Sequence, residues 1–217
     1  MIIGGVDEAG RGPVFGPMIM ALVVVDEKGE KTLRELGVRD SKQLSPKRRE
    51  ELYPEILKIA KDVVIARVEP FEIDAYVSRR SLNELEAMKI AEMITKAKAA
   101  PELLIVDAPD SDPSRFAQRI RKYVDVNVLA EHEADEKYPV VSAASIVAKV
   151  IRDRIIREIE ELYGSFGSGY SHDPTTRAFL EEWVRKYGKL PPFARKSWQT
   201  SEKELNKHLQ KTLLDWR

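Results

Sequence analysis

The sequence predicts an α/β fold: a mixed sheet of about five strands flanked by helices, followed by a helical C-terminal extension. Three observations predict it. Two apolar runs with no room for a helix between them open the chain. Short apolar strands then alternate with amphipathic helical segments. The final ~50 residues carry helical patterns only and fall outside that alternation.

Each element has a local reason. "MIIGGVD" reads as the first strand, and "MIMALVVV", Met18 to Val25, as a second that is apolar throughout and buried on both faces. The short spacing makes them pair antiparallel. "SPKRREELYPEILKIAKD" is a helix with Ser45 as N-cap and Pro46 at the first helical position. "VVIARVEP" is a third strand. "SLNELEAMKIAEMITKAKAA" is a helix in which Leu82, Leu85, Met88, Ala91 and Ile94 share one side. "LLIVD", Leu103 to Asp107, is a buried strand, "PSRFAQRIRKYV" a helix and "VDVNVLA" the last strand. "VVSAASIVAKVIRDRIIREIEELYG" is a long helix with Ala144, Val147, Ala148, Ile151, Ile155, Ile159 and Leu162 on one face. Asp173 and Pro174 open a helix that runs to Tyr187. Ser201 and Glu204 read as the capping box of the last one. The expected division is 1–165 for the sheet domain and 166–217 for the extension. No repeats or low-complexity segments are present.

The 217 residues suit one domain with an appendage, and 43% hydrophobic content is enough for a sizeable core. With no cysteine, disulfide frameworks and thiolate metal sites are excluded. No run is long and apolar enough for a membrane span, and "MIIGGVDEAG" lacks a basic leader, so a soluble, cytoplasmic protein is expected. The net charge is zero but unevenly spread. Residues 183–217 hold nine Lys or Arg against three Asp or Glu; the other 182 hold 27 against 33. Two readings stay open: a solvated lysine-rich helix face, or a tail that touches phosphate.

Four acids fall at strand ends or just beyond. Asp7 ends the first strand, Glu8 follows it, Asp107 ends "LLIVD", and Asp135 follows the last strand. Ligands of open sheets bind beyond strand ends. Adjacent strands lie ~4.8 Å apart, so Asp7 and Asp107 could share a cation. Consecutive strand residues face opposite ways. Asp7 and Glu8 therefore reach one site only if the chain turns at Glu8 or the Glu curls round the edge, and Gly10, Gly12 and Pro13 permit such a bend. Four carboxylates together stay ionised only with a cation among them. Oxygen donors without His or Cys suit Mg²⁺ or Mn²⁺, and such a set can hold two ions ~3.5–4 Å apart, as on phosphodiesters. Taken singly, each acid reads as well as a turn or cap residue; Asp110 and Asp112 in "APDSDP" are read so. A pyrophosphate-cradling glycine loop is discounted: Gly10, Gly12 and Gly16 lack the G-x-G-x-x-G spacing, and a strand follows rather than a helix.

"GVDEAGRGPVFGPM" closely resembles the opening of ribonuclease HII, the type 2 ribonucleases H. "DSKQLS", "IVDAPD", "AEHEADEKYPVVSAASIVAKVIRDR" and "GSGYSHDP" resemble further blocks of that family in its order, across essentially the whole chain. Length and helical C-terminus are similar to the single-chain archaeal form. The resemblance implies a ribonuclease H-like fold with a C-terminal substrate-binding extension. It implies endonucleolytic hydrolysis of RNA in RNA–DNA hybrids, and cutting 5′ of single ribonucleotides in duplex DNA to leave 3′-OH and 5′-phosphate ends. Asp7, Glu8, Asp107 and Asp135 match the family's catalytic, metal-holding carboxylates, served by two Mg²⁺ or Mn²⁺ ions. Gly10, Arg11 and Gly12 match the loop that reads the ribose 2′-OH, a donor and acceptor well suited to backbone groups. Tyr170 matches a junction-sensing tyrosine, and Lys42 a phosphate contact that is evenly balanced against a plain loop lysine. Ser142 and Ser145 read as small packing residues, and His132 and His172 as surface and loop histidines. The chain is expected to be a monomer. Two alternatives remain: a related DNA nuclease with the same acids and no need of a sugar reader, or a non-catalytic hybrid-binding module.

Overall fold

A computed structural model describes residues 1–38, 43–78 and 81–214, the last three of these by backbone alone. The elements in order are β1 (Ile2–Ala9), β2 (Met18–Asp26), α1 (Glu27–Glu35), α2 (Pro46–Ile59), β3 (Asp62–Val68), α3 (Pro70–Val77), α4 (Leu82–Lys96), β4 (Leu103–Asp107), α5 (Pro113–Arg121), β5 (Asn127–Glu131), α6 (Ala134–Lys137), α7 (Pro139–Tyr163), α8 (Pro174–Tyr187) and α9 (Gln199–Leu214). The five strands form one sheet in the order β3-β2-β1-β4-β5. β1 and β2 are antiparallel, while β1–β4 and β4–β5 are parallel. The expected mixed five-stranded sheet is present. Among the described residues, no helix is long and apolar enough to cross a membrane.

Several expectations hold because their causes are local. Ser45 caps α2 by accepting the Arg48 N–H at 3.2 Å. Asp112 caps α5 and Asp173 caps α8, each accepting an N–H two residues on at 2.9 Å. Others are corrected. β1 runs through Glu8 and stays paired to β2 as far as Ala9↔Ile19, so of the two routes offered for Glu8 the turn is absent and the curl of its longer side chain is left. The bend comes at Gly10, whose φ is +85°. The first half of α7 is buried on every side, not along one stripe: Val140, Val141, Ala143, Ile146 and Val150 are all covered. Leu162, near its far end, is 77% exposed. α9 begins at Gln199, so Ser201 lies inside the helix, fully buried, and is no N-cap.

The chain forms two compact units. One comprises Met1–Ala9, Ile19–Arg67 and Ser81–Asp153; the other comprises Gly10–Met18, Val68–Arg80 and Arg154–Arg217. They are drawn differently from the expected division at 165/166, because the Gly10 loop and α3 join the C-terminal helices. In the first unit β2 is buried along its length except at Asp26, and α7 lies directly on β1. A Cβ on Gly5 would sit 2.4 Å from the Val140 carbonyl carbon, so only glycine admits the helix there.

The second unit has its own core of Val14, Phe15, Phe166, Leu180, Val184, Phe193 and Ala194. Phe15 meets Phe166 and Phe193 edge-on, with centroids 5.1 and 5.2 Å apart. Such pairs are worth ~0.5–1.5 kcal/mol each beyond burial. Backbone bonds reinforce them: Val14 N–H donates to the Gly169 carbonyl at 2.7 Å, and Arg195 N–H to the Val14 carbonyl at 2.8 Å.

Candidate active site

The four predicted acids all belong to the first unit. Gly5 and Asp7 lie two residues apart on β1 and so share a face. Because α7 rests on Gly5 through Val140 and Val141, Ser145, just over a turn further along, reaches the Asp7 carboxylate with its hydroxyl. Asp7 is buried, at 7% exposure, and Glu8 N–H donates to its Oδ1 at 2.8 Å. Burial pushes its pKa well above the ordinary carboxylate value, and the charges of Glu8 and Asp107 push the same way. The bonds from Ser145 and the Glu8 amide only partly offset that.

Asp107 ends β4 beside β1, as expected, one step beyond the Val6↔Val106 pair. Its Oδ1 accepts the Ala134 N–H at 2.9 Å, which fastens the start of α6 to the end of β4. Glu133, just before α6, has φ +56°, the lone non-glycine residue at positive φ among those described. That conformation costs ~1 kcal/mol. It turns the chain into the short helix whose first turn holds Asp135, 2% exposed. The structure thus brings Glu8 and Asp107 into electrostatic reach of Asp7 and places Asp135 next to the residue that Asp107 binds. Among the described residues, no three His, Asp or Glu side chains are drawn close enough to form a finished metal-binding group. The donor set nevertheless fits a hard divalent cation: all ligand atoms are carboxylate oxygens, and a buried carboxylate already repelled by two others is the kind a cation would hold ionised.

Asp110 and Asp112 are structural, as read. Asp110 accepts from Asn83 Nδ2 at 2.7 Å and from Arg119, which also binds Glu84 at 2.8 Å. His132 is exposed, its ring nitrogens 3.3 and 3.4 Å from the carbonyls of Ala108 and Ser111. Ser145 was undervalued in the sequence; its spacing along α7 relative to Gly5 is the one signal that marks it. Ser142 is buried, with no partner for its hydroxyl among the described residues.

The predicted loop and tyrosine belong to the second unit. Gly12 and Tyr170 are neighbours: a Cβ on Gly12 would lie 3.3 Å from Tyr170 Cε1. Tyr170 is 39% exposed, and its ring lies 5.5 Å from that of His172. The carbonyls of the loop are held by two side chains. Arg195, with no exposed surface, donates to Gly10, to Arg11 at 2.7 Å and to Gly16 at 3.1 and 3.0 Å. Trp198 Nε1 donates to Gly12 at 2.9 Å. Sequence reasoning missed both residues, counting Arg195 only as one cation of the basic tail. Lys42 lies outside the described residues.

A family profile described as Ribonuclease HII matches residues 4–201. The chain belongs to the ribonuclease HII family. Ribonuclease HII of Thermococcus kodakarensis is 50% identical over 206 residues, covering 94% of this chain and 89% of that one. The crystal structure of ribonuclease H2 from Pyrococcus horikoshii OT3 matches with TM-score 0.92 and 45% identity, over 97% of this chain and all of that one. A complex of PCNA with ribonuclease HII from Archaeoglobus fulgidus contains a similar chain, at TM-score 0.83 and 43% identity, covering 92% and 96%. The sheet and helices are those of the ribonuclease H-like fold. As a member of the family, the chain is an endoribonuclease with ribonuclease H activity, and of the three readings open from sequence this is the one selected.

Proposed function

We propose that this ribonuclease HII cuts on the 5′ side of single ribonucleotides embedded in duplex DNA, as well as within RNA–DNA hybrids, leaving 3′-OH and 5′-phosphate ends. The observation that carries the reading is the Asp7 carboxyl, buried against Glu8 and Asp107 and tethered by Ser145. Carboxyls held in so unfavourable a place cluster at functional sites. Asp7, Glu8, Asp107 and Asp135 would hold divalent metal, Mg²⁺ or Mn²⁺, two ions during catalysis. Bound there, the ions supply charge neutralisation at the scissile phosphate and favour the ionised form of the attacking water. The protein's own part is to fix the donors: Ser145 and the Glu8 amide orient Asp7, and the Ala134 amide orients Asp107. Gly10, Arg11 and Gly12 read the 2′-OH through their backbone, Tyr170 stacks against the sugar at the junction, and Lys42 meets substrate phosphate. Residues 166–217 serve as the substrate-binding extension. The enzyme works as a cytoplasmic monomer, and PCNA, the partner of the Archaeoglobus protein, is a candidate partner here.

The test is cleavage of a duplex with one embedded ribonucleotide, beside a matched all-DNA duplex, with Mg²⁺, with Mn²⁺ and with EDTA. Cleavage 5′ of the ribonucleotide that depends on metal, with the all-DNA duplex left intact, is expected. Equal cutting of both duplexes, or undiminished cutting in EDTA, would overturn the reading.

A further inference from the structure

We propose that Arg195 and Trp198 are positioning residues that clamp the carbonyl side of the Gly10–Gly12 loop and so aim its amides at the ribose. The proposal rests on the reading of that loop as the sugar reader.

The argument begins with a buried cation. Arg195 has no exposed surface. A guanidinium removed from water is tolerated only where its donors are matched. Here it is matched largely by backbone. Nη1 donates to Arg11, Nη2 to Gly10 and Gly16, and Nε to Gly16. The Trp198 ring lies 4.8 Å from the guanidinium carbon, and its own Nε1–H takes the next carbonyl, Gly12. Three consecutive carbonyls, 10, 11 and 12, are therefore drawn towards two neighbouring side chains. An extended chain cannot do this, because its carbonyls alternate in direction. Gly10, at φ +85°, supplies the departure.

Peptide geometry turns this into a statement about donors. In a trans peptide, the N–H of one residue points opposite to the carbonyl of the residue before it. The chain has no cis peptide among the described residues. Fixing the Gly10 and Arg11 carbonyls on the Arg195 side therefore aims the Arg11 and Gly12 N–H groups the other way. Two successive amides turned to one side suit an electronegative atom such as a hydroxyl oxygen. A cation bonded to the carbonyls also polarises those peptides and strengthens the amides as donors. Lysine cannot substitute: one ammonium lacks the planar fork that spans three carbonyls.

The clamp is itself anchored. Asp74 in α3 accepts the N–H groups of Lys196 and Ser197 at 3.0 and 2.8 Å, and the Ser197 hydroxyl as well. That pins the two residues between Arg195 and Trp198. The same unit fixes the loop's far end through Gly16 N–H to the Phe193 carbonyl at 2.8 Å. A loop held at so many points is pre-formed, and a ~1 Å misplacement of a reacting group can cost ~100-fold in rate.

The experiment uses the full chain with Mg²⁺. Single-turnover rate, active fraction and affinity are measured on the single-ribonucleotide and all-DNA duplexes for the parent, Arg195→Lys and Trp198→Phe, with melting temperatures alongside. Arg195→Lys should cut the ribonucleotide duplex roughly 100-fold more slowly and Trp198→Phe roughly 3- to 10-fold more slowly. Affinity should stay within about twofold, because phosphate contacts dominate it. Preference for the ribonucleotide over all-DNA should shrink in step. A merely structural role would lower the melting temperature and the active fraction while leaving rate constant and preference unchanged, and that result overturns the proposal. If Arg195→Lys does not fold, Trp198→Phe decides, since it keeps the ring over the guanidinium and removes only the donor to Gly12. A parent that ignores the ribonucleotide would instead bring down the sugar-reading function itself, which the parent's own two rates reveal before any variant is considered.

Discussion

In the first unit regular backbone carries the candidate acids; in the second, side chains hold the backbone of the candidate sugar-reading loop. Asp7 and Asp107 occupy ordinary strand positions and Asp135 a helical turn, so their positions follow from sheet register and one strained turn at Glu133. The Gly10–Gly12 loop has no regular structure of its own and takes its shape from Arg195, Trp198 and the Phe15 cluster. The two arrangements should fail differently. Damage to the first should remove chemistry and relieve repulsion. Damage to the second should slow cleavage of the ribonucleotide duplex towards the all-DNA rate while leaving the acids and the affinity in place.

The largest effect expected is in the acids. Asp7→Asn should slow cleavage by ~1,000-fold, the equivalent of ~4 kcal/mol of lost transition-state stabilisation. The metal-free variant should nonetheless melt no lower than the metal-free parent at neutral pH. Because the folded state holds the Asp7 proton more tightly than the unfolded chain does, Asp7 lowers stability progressively as pH rises from about 4 through its raised value. The variant's advantage should therefore be larger at pH 7 than at pH 4. Equal melting-temperature differences at both would contradict the buried, repelled carboxylate.

Gly5→Ala attacks the same unit through packing. Its Cβ would meet α7 backbone at 2.4 Å, where nothing flexible can give way. A loss of ~3 kcal/mol in denaturant unfolding is expected, at the upper end for overpacking. Activity per folded molecule should also fall, since α7 delivers Ser145 to Asp7. A neutral substitution would show that the helix is free to ride outward.

Gly12→Ala probes the loop more gently. Its φ does not require glycine, and the added methyl meets only the Tyr170 ring, at 3.3 Å. A roughly tenfold slower single-turnover rate on the ribonucleotide duplex, with affinity nearly unchanged, is expected. Parallel losses of rate and affinity would mean that the loop contributes binding and not alignment.

How much was legible in the sequence follows the same contrast. The acids could be found because a carboxylate at a strand end is a local signal, and register places Asp107 beside Asp7 without further information. Caps at Ser45, Asp112 and Asp173 are local in the same way. α1 and α3 carry their caps too, through Asp26 and the Glu69–Glu72 box, but α1 has Leu33 as its one large apolar residue and α3 is only eight residues long, so apolar periodicity announces neither. The start of α9 was misplaced because Ser201 and Glu204 imitate a capping box. The true start lies beside a turn that Asp74 holds from more than 120 residues away. Arg195 was illegible for the same reason: nothing near it in sequence distinguishes a buried clamp from one more basic residue.

The smallest effect expected is at the edge of the second unit. Asp173 accepts N–H groups from Ser168 and Thr175, which hold its pKa at about 2. Because the folded state favours the ionised form, its contribution is present above about pH 4 and fades as pH falls towards 2. Asp173→Ala should lower the melting temperature by a few degrees at pH 7, and the gap to the parent should narrow below pH 4 and close towards pH 2. A gap that persists there would assign the effect to packing around Gly167.

The grip of Arg195 on residues 10, 11 and 16 joins parts of the chain 179 to 185 positions apart. The contact between Ala134 and the Asp107 carboxylate spans only 27 positions. Closing a long loop costs more chain entropy than closing a short one, and long-range contacts are slower to find. In refolding, the Asp107 contact should therefore form before the Arg195 grip. Amide protection at Ala134 should accordingly precede that at Arg195, whose own N–H is held by the Val14 carbonyl.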